Sequence, residues 1–338
     1  MVRLIDIAGR AGVSVMTVSR VLRDTPDISA ATKARVRALA QQMGYVPDVM
    51  ARGLRTRNTG LLAVVVPNVA DPAVTRIVSA LDECVHALGY DLLVSQSLGR
   101  VEREEVCLRR ALARRAEGLF LYPVYRLDPA ARVFDEVERH GTKVVVLGPK
   151  PAYCESFVNV QADEAQASSE ATSHLLELGH RRIAFLAGPP TSPTAQSRFE
   201  GYSRALRRAG LAVDDALVFH AGETAEDGAK ATEQLLAENV SATAIQAVND
   251  LVAMGAAHLL LDRGFRIPEE LSVVGYGNIP CSELFRVPLT TVRQPKYQLG
   301  LAAGAMMQAL LRGESVSSRQ LPAVLVARAS SGPASSRA

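Results

Sequence analysis

The chain has 338 residues, of which 48% are hydrophobic and 22% are charged. This length suffices for two or three domains with sizeable cores, and the composition excludes a chain that is disordered throughout. The longest apolar run starts at Leu61 and ends at Pro67, too short for a membrane span, and Asp6 stands where a secretory leader would be apolar. We therefore expect a cytoplasmic protein with no membrane partner.

The net charge of +3 is unevenly distributed along the chain. Residues 1–58 contain nine arginines and one lysine against four aspartates, a net charge of +6. The remaining 280 residues contain 28 basic and 31 acidic side chains, a net charge of −3. A small basic segment on a mildly acidic body indicates a head that binds a polyanion, and the alternative is a solvated arginine-rich surface.

The sequence of residues 1–46 predicts three helices. Apolar side chains at positions 4, 7, 8 and 11 form one helical stripe, and Gly12 permits a sharp turn after it. Ser14 suits the N-cap of a second helix that buries Val18 and Val21, and a third helix starts after Ser29. Two short helices joined by a glycine-containing turn are typical of a helix-turn-helix, whose second helix enters the major groove of DNA.

Three stretches of this head carry a family resemblance: AGRAGVS at residues 8–14, TVSRVL at 17–22 and GYVP at 44–47. In this order they resemble the head of the lactose/galactose-repressor (LacI/GalR) family. The resemblance implies that Val15, Met16 and Arg20 lie against the bases or their flanks, and that Thr17 and Ser19 hold phosphates. It implies further DNA contacts by Leu4, Ser14, Ala51, Leu54 and Arg55.

The chemistry of the second helix constrains how it could read DNA. Val15 and Met16 form no hydrogen bonds, so they would read thymine methyl groups or the shape of the groove. The alternative is that both side chains pack inside the head. Arg20 has its own alternative, an ion pair with Asp24 at spacing i,i+4.

Residues 47–58 link the head to the body. Asp48 suits an N-cap, but the segment is too short to be a stable helix alone. In the family that the head resembles, a hinge helix here folds on DNA and pairs with its dimer mate in the minor groove, and Leu54 matches the leucine that wedges a central base step. Gly53 departs from that pattern, because glycine weakens a helix by about 1 kcal/mol relative to alanine. A plain flexible linker is the alternative.

Beyond Gly60, short β-rich runs alternate with segments of helical length. Strands are predicted at residues 61–66, 91–96, 118–122, 143–147, 183–187, 244–247 and 272–275, with helices at 73–88, 102–114, 165–178, 197–209 and 251–263. This alternation predicts an α/β body with doubly wound parallel sheets, and its length favours two lobes. Ligands of such folds bind beyond the carboxyl ends of the strands.

The family resemblance continues through the body, in LGHRRIAF at residues 178–185, RFEGY at 198–202, NDLVAMGA at 249–256 and LTTVRQP at 289–295. It implies a periplasmic-binding-protein type I-like fold, with an effector cleft between two lobes that the chain crosses near residues 157–161, 287–293 and 318–323. The N-lobe would comprise residues 60–158 and 292–320, and the C-lobe residues 161–288 and 321–328. Residues 329–338 are predicted to be a disordered tail.

The same resemblance implies six effector-binding residues: Asp71, Tyr122, Arg198, Glu223, Asn249 and Gly277. The planar guanidinium of Arg198 suits sugar hydroxyls or a carboxylate. For Arg198 the alternative is a surface ion pair, and for Tyr122 and Glu223 it is likewise a surface position.

Two departures from the family bear on the effector. Gly277 and Gly148 stand where many members carry an aspartate, and Lys150 lies near the second of them. Because two carboxylates are lost while Arg198 is kept, the sequence favours an acidic effector such as a sugar acid or a sugar phosphate. Glu223 would argue against this if it faces the cleft.

These features predict an effector-responsive regulator, most simply a repressor, that binds a near-palindromic DNA operator as a homodimer. The alternative is a small-solute binding protein without sequence-specific DNA recognition, against which the basic head argues. The sequence has no phosphate-binding Gly-Lys-Ser/Thr loop, no Gly-x-Ser-x-Gly elbow and no His-Glu-x-x-His motif. Its six histidines and four cysteines form no short-range cluster, so neither catalysis nor a metal or cofactor is expected.

Overall fold

The computed structural model describes residues 2–46, 59–126 and 131–335. The chain forms two compact units that divide between Thr59 and Gly60. The hinge interpretation of residues 47–58, with Ala51, Leu54 and Arg55, lies outside the described residues. Within the described residues, no helix is long and apolar enough to cross a membrane.

The head contains three helices, α1 Leu4–Ala11, α2 Val15–Leu22 and α3 Ala30–Gln42. Gly12 ends α1 in the left-handed conformation, and the Ser14 hydroxyl accepts a hydrogen bond from the Thr17 backbone N–H at 3.1 Å. A small apolar core joins the helices; its buried members are Ile7, Ala8, Ala11, Val18, Val21, Val36 and Ala40. The predicted helix-turn-helix is confirmed.

The body alternates strands and helices as predicted. Its elements are β1 Leu61–Val66, α4 Pro72–Ala87, β2 Asp91–Gln96, α5 Val101–Ala113, β3 Gly118–Leu121, α6 Arg132–Arg139, β4 Lys143–Leu147, β5 Val158–Ala162, α7 Glu164–Glu177, β6 Ile183–Ala187, α8 Pro193–Arg208, β7 Val218–His220, α9 Ala225–Ala237, β8 Ala244–Ala247, α10 Asp250–Asp262, β9 Ser272–Gly277, α11 Pro280–Leu284, β10 Thr290–Arg293, α12 Lys296–Leu311, β11 Arg319–Leu321 and β12 Val324–Val326. Two single 3₁₀ turns lie at Ala152–Cys154 and Asp215–Leu217.

Two six-stranded sheets form the two lobes. The N-lobe sheet has the order β11-β5-β4-β3-β1-β2 and is parallel throughout. The C-lobe sheet has the order β12-β10-β9-β8-β6-β7 and is parallel except for β12, which pairs antiparallel to β10. Apolar clusters cover both faces of each sheet, which explains why strands such as β1 are almost wholly hydrophobic. The predicted doubly wound α/β body is confirmed.

The chain passes between the lobes at residues 162–164, 293–296 and 321–324. The first two crossings lie later than the predicted ranges, because residues 158–162 and 290–293 are not connections but the strands β5 and β10. Each strand is hydrogen-bonded to a neighbouring strand of its own lobe. The lobe boundaries implied by the sequence therefore need correction at both places.

The prediction of a disordered tail from residue 329 is wrong for residues 329–335, while residues 336–338 lie outside the described residues. Ser330 is 1% exposed, and its carbonyl oxygen accepts a hydrogen bond from the Val273 backbone N–H at 2.7 Å. Its hydroxyl accepts from the Thr290 N–H at 2.8 Å, and Ala334 N–H donates to the Leu178 carbonyl at 2.8 Å. The polar composition resembles a loose tail, but these groups satisfy buried backbone atoms of the C-lobe.

Ending the chain after Ala329 is expected to destabilise the body by about 3 kcal/mol, because several buried backbone groups lose their partners. Urea unfolding of this truncation, compared with a chain that ends at Ser335, measures the loss. Equal stability of the two chains would show that the docked tail contributes nothing.

Candidate functional site

The second helix of the head presents an exposed apolar pair. Val15 is 41% and Met16 is 64% exposed, so the alternative that both pack inside the head is wrong. Around them, the hydroxyl oxygens of Ser14 and Thr17 lie 2.9 Å apart, and Ser19 is half-buried. This face is therefore a free surface with apolar groups at its centre and polar groups beside them.

Arg20 lies on the same exposed face and pairs with a residue other than the expected one. Its Nη1 is 2.8 Å from the Asp27 carboxylate, whereas Asp24 accepts from Lys33 and Arg37 at 2.9 and 2.6 Å. An exposed ion pair of this kind contributes at most about 1 kcal/mol, so it leaves Arg20 available to an anionic partner. Leu4 differs from the other predicted DNA contacts, because its side chain packs partly against the core of the head.

A cavity of about 410 Å³ lies between the carboxyl ends of the two sheets. All six predicted pocket positions line it: Asp71, Tyr122, Arg198, Glu223, Asn249 and Gly277. The residues come from both lobes: Asp71, Tyr122, Glu223 and Asn249 lie in loops that follow strands, Gly277 ends β9, and Arg198 lies in the second turn of α8. Its size and position are typical of a small-molecule site in an α/β fold.

Arg198 lies at the floor of the cavity and is only 9% exposed, so the alternative of a surface ion pair is wrong. Its Nε donates to the Glu164 carboxylate at 2.8 Å and its Nη1 to the Val248 carbonyl at 2.7 Å. The guanidinium lies over the Tyr276 ring, 3.8 Å from the centroid. Two of its five N–H donors and its charge are therefore already engaged.

Gly277 has a φ of +135°, a conformation that side-chain-bearing residues rarely adopt. Its carbonyl oxygen accepts a hydrogen bond from Lys296 Nζ. Burial lowers the pKa of Lys296, and the nearby Asp250 carboxylate opposes that shift. A buried lysine thus holds the backbone at the position where the family often carries an aspartate.

Asn249 caps helix α10 and joins two loops at the cleft. Its side-chain oxygen accepts from the Val252 N–H at 2.8 Å, and its amide nitrogen donates to the Glu223 carbonyl at 2.9 Å. Asp71 caps α4 in the other lobe, accepting from the Ala73 N–H at 2.7 Å. Both caps therefore fix the loops that border the cavity.

Two further predicted groups have pKa values shifted upward by their surroundings. Burial raises the pKa of Tyr122 to about 12, so its hydroxyl stays protonated at neutral pH. Burial also raises the pKa of Glu223; the Asp71 carboxylate adds to this shift and Arg198 opposes it. Glu223 lines the cavity, and this position argues against an acidic effector.

Sequence reasoning missed four ionisable residues that line the cavity: Glu164, Asp250, Tyr276 and Lys296. Glu164 follows β5 and Lys296 follows β10, and neither strand was predicted from the sequence. Asp250 is 1% exposed and accepts hydrogen bonds from the Ile279 N–H at 2.8 Å and the Ser282 hydroxyl at 2.7 Å. An acidic or basic residue just after each strand end was the available signal.

A DNA-reading head together with a two-lobed body that encloses a ligand-sized cleft defines a ligand-responsive, DNA-binding regulator. Comparisons with known proteins agree with this class. Residues 3–48 match the family described as "Bacterial regulatory proteins, lacI family", and residues 172–331 match the "Periplasmic binding protein-like domain". The HTH-type transcriptional repressor CytR of Escherichia coli (strain K12) is 31% identical over 313 residues, which cover 93% of this chain and 91% of CytR. The chain belongs to the LacI family of bacterial transcriptional regulators.

Two solved structures are similar in fold over nearly the whole chain. The lac repressor dimer bound to operator and the anti-inducer ONPF has a TM-score of 0.88 at 29% identity, covering 98% of this chain and 99% of the repressor. The complex of the transcriptional regulator CelR with cellobiose has a TM-score of 0.73 at 29% identity, covering 98% of this chain and 100% of that one.

Proposed function

We propose that this protein is a cytoplasmic repressor that binds a near-palindromic operator as a homodimer and senses a small sugar or sugar derivative in its interlobe cleft. The observation that carries the proposal is the combination, in one chain, of an exposed apolar pair on the second head helix with a cavity of about 410 Å³ lined by both lobes. A protein that only binds solutes does not require an exposed apolar pair on a head helix.

In this proposal, Val15, Met16 and Arg20 contact the bases or their flanks, and Thr17 and Ser19 contact phosphates. Ser14 and Leu4 make further contacts to the DNA. The proposal assigns further DNA contacts to Ala51, Leu54 and Arg55. Two heads related by two-fold symmetry read two half-sites. The similarity to the lac repressor dimer bound to operator supports this arrangement.

In the cleft, the proposal assigns effector contacts to Asp71, Tyr122, Arg198, Glu223, Asn249 and the backbone at Gly277. The CelR–cellobiose complex supports a carbohydrate-like ligand in a body of this fold. The proposal does not include the acidic effector, a sugar acid or sugar phosphate, that the loss of two aspartates favours. Arg198 is neutralised by Glu164, and three other carboxylates, those of Asp71, Glu223 and Asp250, line the cavity.

Selection of random DNA duplexes by the purified full-length protein tests the proposed function. We expect enrichment of one sequence with two inverted half-sites, and an affinity that falls steeply with salt. If no duplex is enriched, either alone or with pools of sugars present, the proposal of a sequence-specific regulator fails.

Leu54→Ala is expected to weaken binding to the selected operator at least tenfold, because the proposed wedge between two base pairs is lost. Affinity for any cleft ligand and the melting temperature should be unchanged, since the substitution lies outside the body. Fluorescence anisotropy with the selected duplex measures the effect. An unchanged operator affinity would favour the plain-linker alternative.

A further inference from the structure

The floor of the cleft is electrically balanced. Its charged residues are two acids and two bases, each at most 9% exposed: Glu164, Asp250, Arg198 and Lys296. Arg198 pairs with Glu164 at 2.8 Å. Lys296 donates to the Gly277 carbonyl, and the neighbouring Asp250 accepts from a backbone N–H and two hydroxyl groups. The positive and negative charges of the floor therefore cancel.

The rim of the cleft is acidic. Asp71 lies in the N-lobe and Glu223 in the C-lobe; both line the cavity and keep exposed surface at its mouth, although the Glu223 carboxyl group is sheltered enough for burial to raise its pKa. In the part of the chain that the structure describes, no ion pair involves either carboxylate. Because the two groups belong to opposite lobes and carry the same charge, they repel each other across the cleft, more so when the lobes approach.

An orphaned polar group at the floor indicates that the cavity is built for a ligand. Tyr276 is 2% exposed and lines the cavity, yet its hydroxyl has no hydrogen-bond partner of acceptable geometry among the described residues, although Glu164 and Arg198 lie beside it. A buried hydroxyl without a partner costs about 1–3 kcal/mol, and a ligand hydroxyl would remove that cost. This observation is independent of the acidic rim.

We propose that the effector is a cation, a small polyhydroxylated molecule whose protonated amine binds between Asp71 and Glu223 and whose hydroxyl reaches Tyr276. This inference rests on the proposed function and adds the ligand's charge to it. An ammonium group neutralises both rim carboxylates and joins the two lobes. A neutral sugar leaves their repulsion in place, and an anion increases it.

A first experiment needs no ligand. Asp71→Asn keeps an N-cap, and Glu223→Gln keeps the shape of the side chain while removing its charge. We expect each substitution to raise the melting temperature of the ligand-free protein by about 2 °C at low salt, with a smaller rise at high salt. The control is Glu200→Gln, because Glu200 is exposed on α8 and does not line the cavity. This substitution should leave the melting temperature unchanged. A fall or no change at Asp71 and Glu223 would overturn the acidic-rim premise.

A second experiment compares matched ligands by calorimetry: glucose, glucosamine, gluconate and glucose 6-phosphate, and the corresponding galactose and mannose sets. We expect the amino sugar of at least one set to bind at least tenfold more tightly than its neutral parent, and this preference to disappear in Glu223→Gln. A neutral or anionic member that binds as tightly as any amine would overturn the inference.

The selected operator separates failure of this inference from failure of the proposed function. A neutral or anionic compound that changes operator affinity overturns the cationic effector and leaves the regulator intact. A protein that enriches no duplex overturns the regulator, whatever its cleft binds.

Discussion

Arg198→Met should destabilise the body by about 3 kcal/mol and abolish the response of the operator complex to its effector. The substitution removes the guanidinium that pairs with Glu164 at 2.8 Å, and Glu164, itself 8% exposed, keeps a buried charge with no cation beside it. The Val248 carbonyl also loses its donor. Urea unfolding measures the stability of the variant. Titration of its operator complex with the compound that changes the operator affinity of the unsubstituted protein measures the response to effector.

The double variant Arg198→Met with Glu164→Gln is the control for the stability term. Because it removes the uncompensated charge together with its partner, we expect it to recover more than half of the lost stability while remaining unresponsive to effector. A single variant that loses less than about 1 kcal/mol, or a double variant no more stable than the single one, would contradict a buried ion pair at the floor.

Gly255→Ala should destabilise the C-lobe by about 3 kcal/mol, although alanine is the better helix former. Helices α9 and α10 approach so closely that a Cβ at Gly255 would lie 1.9 Å from the Ala225 carbonyl oxygen. On the facing helix, a Cβ at Gly228 would lie 2.2 Å from the Val252 carbonyl oxygen. The two helices must therefore separate to admit a methyl group.

Gly9→Ala is the matched substitution. Gly9 also lies within a helix, but a Cβ there meets no atom within 4 Å, so the higher helix propensity should stabilise the head by about 0.5–1 kcal/mol. Chemical unfolding of the unit that carries each substitution shows whether the free energy of unfolding rises or falls. If both substitutions stabilise their units, the close approach of α9 and α10 does not exist in solution.

Much of the fold could be predicted because its signals are local. The seven predicted strands all occur, since runs such as residues 61–66 and 144–147 are apolar and are followed by proline or glycine. At the positions of β5 and β10 the sequence instead predicts lobe crossings. Their sequences, VNVQA and TTVR, are short and partly polar, and only pairing with distant strands makes them strands.

The candidate site was predictable in position but not in its charge balance. The six pocket residues could be located because the family resemblance implies them, yet the partner of Arg198 could not. Glu164 lies 34 residues away in sequence and reaches Arg198 only when α7 and α8 pack. The same limit applies to the tail, where Ser330 contacts groups 40 and 57 residues away. A polar segment gives no local sign that its atoms complete a distant sheet.

The most direct test of the central claim is one titration series with the selected operator. The affinities of the protein for this duplex and for a scrambled duplex are measured over a range of salt concentrations, with and without the compound that most stabilises the protein. We expect the operator to bind at least about 1,000-fold more tightly than the scrambled duplex, and the compound to change operator affinity by the same factor by which the operator changes compound affinity. Equal binding of both duplexes, with no effect of the compound, would contradict a DNA-reading head controlled by the cleft.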